Sequence, residues 1–341
     1  MVLNSDPRPE LSIIIPVYNR TGSLTRCLHS VVTQKCSAGT EILIIDDAST
    51  DTGVKEVAQQ CQAEYVRVRK ARGSAFCKNL GVAASRGEYL LFLDSDAEFI
   101  DSNALSAMLN LFSDDTLCGE GGGEAIVDSE QRAKYIFGRI LDEATGRSSI
   151  DYKSAEEYQE PIEVDYIPTS NCMVRRDVVL RLNGFDDAYP HLGEDMDFGY
   201  RVKRLGLKNY VLRESVVLHH FAPDGRRADQ LSKGYRTQVR FFMRHCNSST
   251  LRFLLKQEAE IRSSQKAGAK ASVHVDPAIA EFEDHYMTAI IKTGASGSLT
   301  HSEDIHYSKT FIQAFLWCEL HRLGLRQQGS HWVGLSAAGR S

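Results

Sequence analysis

Three short apolar runs, LSIIIPV at 11–17, EILIIDD at 41–47 and EYLLFL at 88–93, confine the first hundred residues to one class of fold. A continuous apolar run of this length, ended by turn chemistry, suits a strand covered on both faces. The stretches between them carry helical spacing. Residues 21–34 place Leu24, Leu28, Val31 and Val32 on one side, a shorter segment spans 54–61, and 75–84 reads as a helix. Residues 65–70, YVRVRK, add a further strand. Strand, helix, strand repeated in this way predicts an α/β fold, a mainly parallel sheet with helices on both faces. Ligands bind such sheets at the carboxyl ends of the strands, so the side chains there matter most.

Further along, 103–112 reads as a helix and 118–127 as a strand of unusual glycine content. The polar, acidic stretch 142–161 reads as a mobile loop over a site. Strand character returns over 166–174 and 209–220, with helices from 177 and over 194–205. After Pro223 the pattern turns helical, at 227–245, 251–261, 278–291 and 305–323, with linkers at 263–272 and 294–298. The expected division is an α/β domain over 1–222 and a helical extension over 223–341.

A net charge of -5 argues against a nucleic-acid partner, which needs a basic footprint. No apolar run approaches the roughly 20 residues that span a bilayer, and the charged, proline-containing first ten residues do not resemble a signal peptide. Eight scattered cysteines without a Cys-x-x-Cys pair suit neither a disulfide framework nor a zinc site. Reduced thiols in a cytoplasmic protein are the expectation. Arg226, Arg227, Lys233, Arg236, Arg240 and Arg244 form a basic segment. It reads either as a peripheral contact with an anionic membrane or phosphorylated acceptor, or as the solvated face of a packed helix. The helices beyond it, including 311–317, would cover an acceptor cleft or form a homodimer surface.

Three acidic sites fall at element ends. Asp46-Asp47 closes the second strand, Asp94-Ser95-Asp96 closes the fourth, and Glu194-Asp195 opens a helix after the turn at 190–193. Alternate carboxylates at a strand end present hard oxygen ligands to Mg²⁺ or Mn²⁺. A metal held there offsets the charge of a departing diphosphate. Each pair also has a structural reading. Asp46-Asp47 can serve as turn and capping residues beside Ser49 and Thr50, and Glu194-Asp195 suits the first turn of any helix. The first strand runs into Tyr18-Asn19-Arg20-Thr21-Gly22 rather than a Gly-x-Gly-x-x-Gly turn, which disfavours a dinucleotide site.

Taken together, SIIIPVYNR, IIDDASTD, CKNLGVAASRGEYLLFLDSD and GEDMDFGYRVKRLG resemble the family 2 glycosyltransferases of the GT-A fold, over roughly residues 10–221. NGFDDAYPHLGEDMDFGYR is also similar to the acceptor-side motif of galactosyl- and N-acetylgalactosaminyl-transferring relatives. His191-Leu192-Gly193-Glu194-Asp195 stands here in place of their Trp-Gly-Gly-Glu-Asp. The resemblance implies an inverting transfer from a nucleotide sugar, with UDP-sugar as the expected donor and a glycan or metabolite as acceptor; transfer to a polyprenyl phosphate and a non-catalytic sugar-nucleotide-binding or scaffold role are the alternatives. It implies that Pro16, Tyr18 and Asn19 line the nucleotide pocket and that Asp47 accepts the uracil imide. Lys78 and Asn79 would stand near the donor, where the family often has Arg-Asn. Asp94 with Ser95 would lie by the ribose, and Asp96 would bind the metal. Asp195 would be the base, with Glu194 beside sugar and acceptor. A histidine after the last strand completes the metal site in such proteins. His219 and His220 compete for that place, and strand alternation points them to opposite faces; the following Pro223 and Gly225 favour His220.

Overall fold

The computed structural model describes residues 8–114, 117–127, 132–142, 147–154, 161–187, 189, 193–220, 241, 245, 325–328 and 331–334. The chain divides into two compact units, 1–142 with 147–228, and 143–146 with 229–341.

The first unit is built on an eight-stranded sheet. Its parallel half comprises β1 (Leu11–Val17), β2 (Thr40–Asp46), β3 (Glu64–Arg67) and β4 (Tyr89–Leu93). The helices α1 (Thr21–Val32), α2 (Gly53–Gln60) and α3 (Ser74–Ala84) connect them. β1 is buried on both faces, and its alternate residues feed two separate cores. Ile13, Ile15 and Val17 pack with Leu24 and Leu28 of α1 and Val54 of α2. Ile14 packs instead with Leu43, Ile45, Leu90, Phe92 and Val82 of α3. An apolar run without alternation is what this two-sided burial requires.

Beyond β4 the sheet continues through β6 (Cys118–Gly122), β10 (Ile162–Val164), β11 (Asn171–Arg175) and β12 (Lys208–Val211). The complete order is β10-β12-β6-β11-β4-β1-β2-β3. β11 runs antiparallel to both β4 and β6, and β10 to β12, while β12 runs parallel to β6, so the sheet is mainly parallel, as expected, with antiparallel strands confined to its second half. Helices α4 (Ala104–Asp114), α5 (Arg176–Arg181) and α6 (Glu194–Lys203) complete the unit.

A second sheet of five strands, in the order β5-β13-β7-β8-β9, contains β5 (Ala97–Phe99), β7 (Glu124–Val127), β8 (Ala133–Asp142), β9 (Arg147–Ser154) and β13 (Val217–His219). The glycine-rich stretch is therefore two strands in two sheets rather than one. Gly122 and Gly123 carry the chain across with φ of 150° and 130°, and a Cβ on Gly122 would lie 2.1 Å from the Asn171 carbonyl oxygen. Only glycine accommodates both demands.

The stretch expected to be a mobile loop is in part an ordered hairpin, because Arg147–Ser154 pairs with residues 135–142 of β8. β9 is an edge strand, so its polar composition did not betray it. In the second unit, Leu325–Gln328 and His331–Gly334 form an antiparallel hairpin. Phe241 and His245 are helical, with ring centroids 4.7 Å apart. The other helices expected after Pro223, the basic segment among them, lie outside the described residues.

Candidate functional site

β1, β2 and β4 end side by side, with Val17 opposite Asp46, so the loops after them share one edge of the sheet. Pro16 is half-buried opposite Ile45, and Tyr18 is half-buried just beyond. Asn19 and Arg20 take left-handed backbone, with φ of 57° and 69°. Asn19 binds these loops together. Its amide oxygen accepts the N–H groups of Thr50 (2.8 Å) and Asp51 (3.1 Å), and its own N–H donates to Ser49 Oγ (2.8 Å).

The adjacent acids of β2 divide their labour. Asp46, fully buried, accepts from the Ser49 N–H (2.7 Å), the Tyr65 hydroxyl and Arg67 (2.7 Å). Burial pushes its pKa up, but those bonds outweigh it and hold the carboxyl below its usual range. Asp47 accepts the backbone N–H groups of Arg72 (2.7 Å) and Gly73 (3.0 Å). It thereby ties the basic loop after β3 to the sheet edge.

The second acidic group meets a histidine through strand register. The turn after β4 is closed by the Ala97 N–H donating to the Asp94 carbonyl (3.0 Å), and β5 follows at once. β13 pairs with β5 so that His219 stands opposite Ala97. His219 Nε2 comes to 3.4 Å from Asp96 Oδ1 and 3.7 Å from Asp94 Oδ2. Its Nδ1 lies 2.7 Å from Glu124 Oε1, and Glu124 also accepts from Ser170 Oγ (2.7 Å). One ligand atom each from Asp94, Asp96 and His219 fit within 4.8 Å of one another. Burial pulls the His219 pKa down, but hydrogen bonds to Asp96 and Glu124 and the charge of Asp94 push it up to about 10.

Two carboxylates and an imidazole whose far nitrogen rests on a further carboxylate fit a hard divalent ion such as Mn²⁺ or Mg²⁺. Arg20 reaches the same cluster, its Nη1 2.8 Å from Asp96 Oδ2. Ser95 is buried between the two aspartates.

The two histidines are sorted the other way from the preference for His220. His220 is exposed, with Nε2 2.8 Å from Glu98 Oε2. It joins the cluster only through its backbone N–H, which donates to the Asp96 carbonyl (3.0 Å). Successive residues of a strand face opposite sides, and the register gives His219 the inner side.

The third acidic pair opens α6. Gly193, with φ 90°, turns the chain into the helix. Glu194 is buried, and Asp195 is intermediate in exposure, its Oδ1 accepting the Met196 N–H (2.8 Å). Burial and the neighbouring Glu194 charge push the Asp195 pKa up to about 6, against the opposing charge of Lys78. Lys78 is itself buried. Its Nζ donates to Glu194 Oε1 (2.8 Å) and Thr169 Oγ1. Asn79 exchanges two hydrogen bonds with the backbone of Phe185, at 2.8 and 2.9 Å. Both residues expected near the donor thus spend these polar atoms on protein partners.

Arg20, Glu124, Thr169 and Glu120 join the site without any sequence pattern that marks them. Glu124 closes the GEGGGE run, where glycine content drew attention and the acid did not. Glu120 is buried in β6, with Oε2 accepting the Ile167 N–H (3.0 Å). Burial pushes its carboxyl up to about 8.

Residues 12–182 match Glycosyl transferase family 2. The chain is 26% identical over 256 residues to the uncharacterized glycosyltransferase YfnE of Bacillus subtilis, covering 62% of this chain and 65% of that protein. Two other curated relatives are matched over 30% and 31% of their own length, so the chain spans less than two thirds of the relatives it matches. Among solved structures, it resembles the mannosyltransferase PcManGT from Pyrobaculum calidifontis in complex with GDP-Man and Mn²⁺. The TM-score is 0.52 at 17% identity, over 91% of this chain and 85% of that one. GalNAc-T7 with UDP, GalNAc and Mn²⁺ gives a TM-score of 0.55 at 16% identity, over 82% and 55%. At these identities the structural likeness speaks for the fold alone.

Proposed function

The chain belongs to glycosyl transferase family 2, and from that premise we propose that it moves a sugar from a nucleoside diphosphate to an acceptor hydroxyl with inversion, assisted by a divalent metal. The observation that carries this reading is the convergence of Asp94, Asp96 and His219 on one point at the carboxyl edge of the sheet. A diphosphate bound there needs a cation between itself and the carboxylates.

Asp94, Asp96 and His219 would hold Mn²⁺ or Mg²⁺, and the ion supplies charge stabilisation to the departing diphosphate. Both solved structures named above carry Mn²⁺ beside a nucleotide or nucleotide sugar, which supports the assignment. Glu124 fixes the ring of His219, so that Nε2 faces the two aspartates. The loop that Asp47 suspends through Arg72 and Gly73 forms the nucleobase end of the pocket, with uracil as the preferred base. Tyr18 and Pro16 flank it, and Asn19 holds the loop in place.

Asp195 takes the acceptor's proton. Its raised pKa suits that task, because a base with a pKa near the working pH is ionised and still strongly basic. Glu194 stands beside it at the helix start. The acceptor is a glycan or metabolite hydroxyl, and the basic segment after Pro223 is a candidate for peripheral membrane contact. No helix among the described residues is long and apolar enough to cross a membrane.

The test is release of nucleoside diphosphate from UDP-glucose, UDP-galactose, UDP-N-acetylglucosamine and GDP-mannose, with Mn²⁺ and with EDTA. Metal-dependent hydrolysis of at least one donor is expected. Equal release with EDTA would remove the metal from the reading, and release from none would remove the transferase.

A further inference from the structure

Lys78 lies on α3, and its side chain is 1% exposed. An ammonium withdrawn from water is costly unless its hydrogens are accepted and its charge is matched. Here both conditions are met by protein. Glu194 Oε1 accepts at 2.8 Å, Thr169 Oγ1 accepts from the turn before β11, and the Phe185 ring lies 5.5 Å away on another side. The contact therefore spans three elements: α3, the turn leading into β11, and the first residue of α6. Residue 195, whose carboxylate is the proposed base, follows Glu194 in the same helical turn.

The charge also bears on both ends of the site. Lys78 opposes the burial of Asp94 on the donor side and of Asp195 on the acceptor side. Among the described residues, the other charged groups facing Asp195 are Glu194 beside it, Arg139 of β8, and Glu120 of β6.

We propose that Lys78 is a positioning residue, whose buried ammonium anchors Glu194 and thereby fixes the start of α6 and the carboxylate of Asp195, rather than a contact for the nucleotide sugar. This deepens the proposed function and rests on it for the role of Asp195. The anchoring itself is independent of any ligand and is readable in the protein alone.

The experiment compares wild type with Lys78→Met and Lys78→Arg in the full chain. Hydrogen exchange over 194–203 reads the anchor, calorimetry with UDP and Mn²⁺ reads donor binding, and the pH dependence of kcat for the donor hydrolysed fastest reads the base. In Lys78→Met, exchange over 194–203 is expected to quicken about tenfold while the rest of α3 keeps its protection. UDP affinity stays within about threefold, and kcat falls about a hundredfold. The pH midpoint of kcat moves upward, because a charge that favours ionised Asp195 is gone. Lys78→Arg restores part of each change. Unchanged exchange over 194–203, or a tenfold loss of UDP affinity with kcat and its pH midpoint unmoved, would overturn the positioning role. If Lys78→Met does not fold, Thr169→Val removes one acceptor and carries the exchange measurement with the same expected direction. A wild type that hydrolyses no donor would defeat the functional reading and leave the exchange result to decide the anchor.

Discussion

Replacing His219 and His220 separately by alanine sets two neighbouring residues of identical chemistry against each other. His219 Nε2 lies 3.4 and 3.7 Å from carboxylate oxygens of Asp96 and Asp94. Among the described residues His220 Nε2 meets Glu98, and the backbone N–H that it donates to Asp96 survives in an alanine. Loss of a group that merely orients a ligand costs 10–100-fold in metal affinity, so loss of one of three protein ligands should cost at least the upper value, about 100-fold or ~2.7 kcal/mol. Glu124→Gln, which weakens the support behind His219 Nδ1, should cost about 10-fold, ~1.4 kcal/mol. His220→Ala should stay within about threefold, since it removes one exposed pair. Arg20 and Arg139 remain beside Asp96 and Glu124 in His219→Ala, so the carboxylates keep partners and the fold should survive. The assay is titration of Mn²⁺ with UDP present, reading free ion by electron paramagnetic resonance. Thermal melting alongside it checks folding. A larger loss in His220→Ala than in His219→Ala would refute the metal geometry, as would wild-type affinity in a folded His219→Ala.

Asp195→Asn should lower kcat by about 10²–10⁴ while UDP binding in calorimetry stays near wild type, because the amide keeps the shape but cannot take a proton. With the Asp195 pKa pushed up to about 6, kcat should fall as pH drops through 6 and level off above it. A profile flat between pH 5 and 8 contradicts the base assignment. Glu120 carries the opposite kind of linkage. Its folded pKa is raised to about 8, so between about 4.5 and 8 the unfolded chain releases a proton that the folded one keeps, and stability declines as pH rises. Glu120→Gln should remove that slope, raising stability at pH 8 relative to pH 5 by about 3 kcal/mol in urea melts. A slope unchanged from wild type would show that Glu120 ionises normally.

The parallel half of the sheet was legible because two-sided burial leaves no alternation, and LSIIIPV has none. The sheet change at Gly122 and Gly123 was not, because glycine content announces freedom of φ without saying which partner strand follows. β9 escaped notice because an edge strand needs no apolar face. Within the site, the acids at strand and helix ends could be placed from element boundaries alone. The choice between His219 and His220 could not, since it depends on the pairing of β13 with β5, a contact between residues more than a hundred positions apart. Lys78 did leave a trace. It stands on the stripe Ala75, Lys78, Gly81, Val82 at helical spacing, all four of them buried. A cation on an apolar stripe demands a buried partner, but only the tertiary fold identifies that partner as Glu194.

Calorimetric titration of UDP and of GDP into the wild-type chain, with Mn²⁺ and with EDTA, asks whether the site holds a nucleoside diphosphate through a metal. At least one nucleoside diphosphate should bind, UDP more tightly than GDP, with a loss of about tenfold or more in affinity when EDTA removes the metal. Asp96→Ala should abolish the difference between the two conditions. Binding of neither nucleotide, or binding indifferent to metal in the wild type, would contradict it.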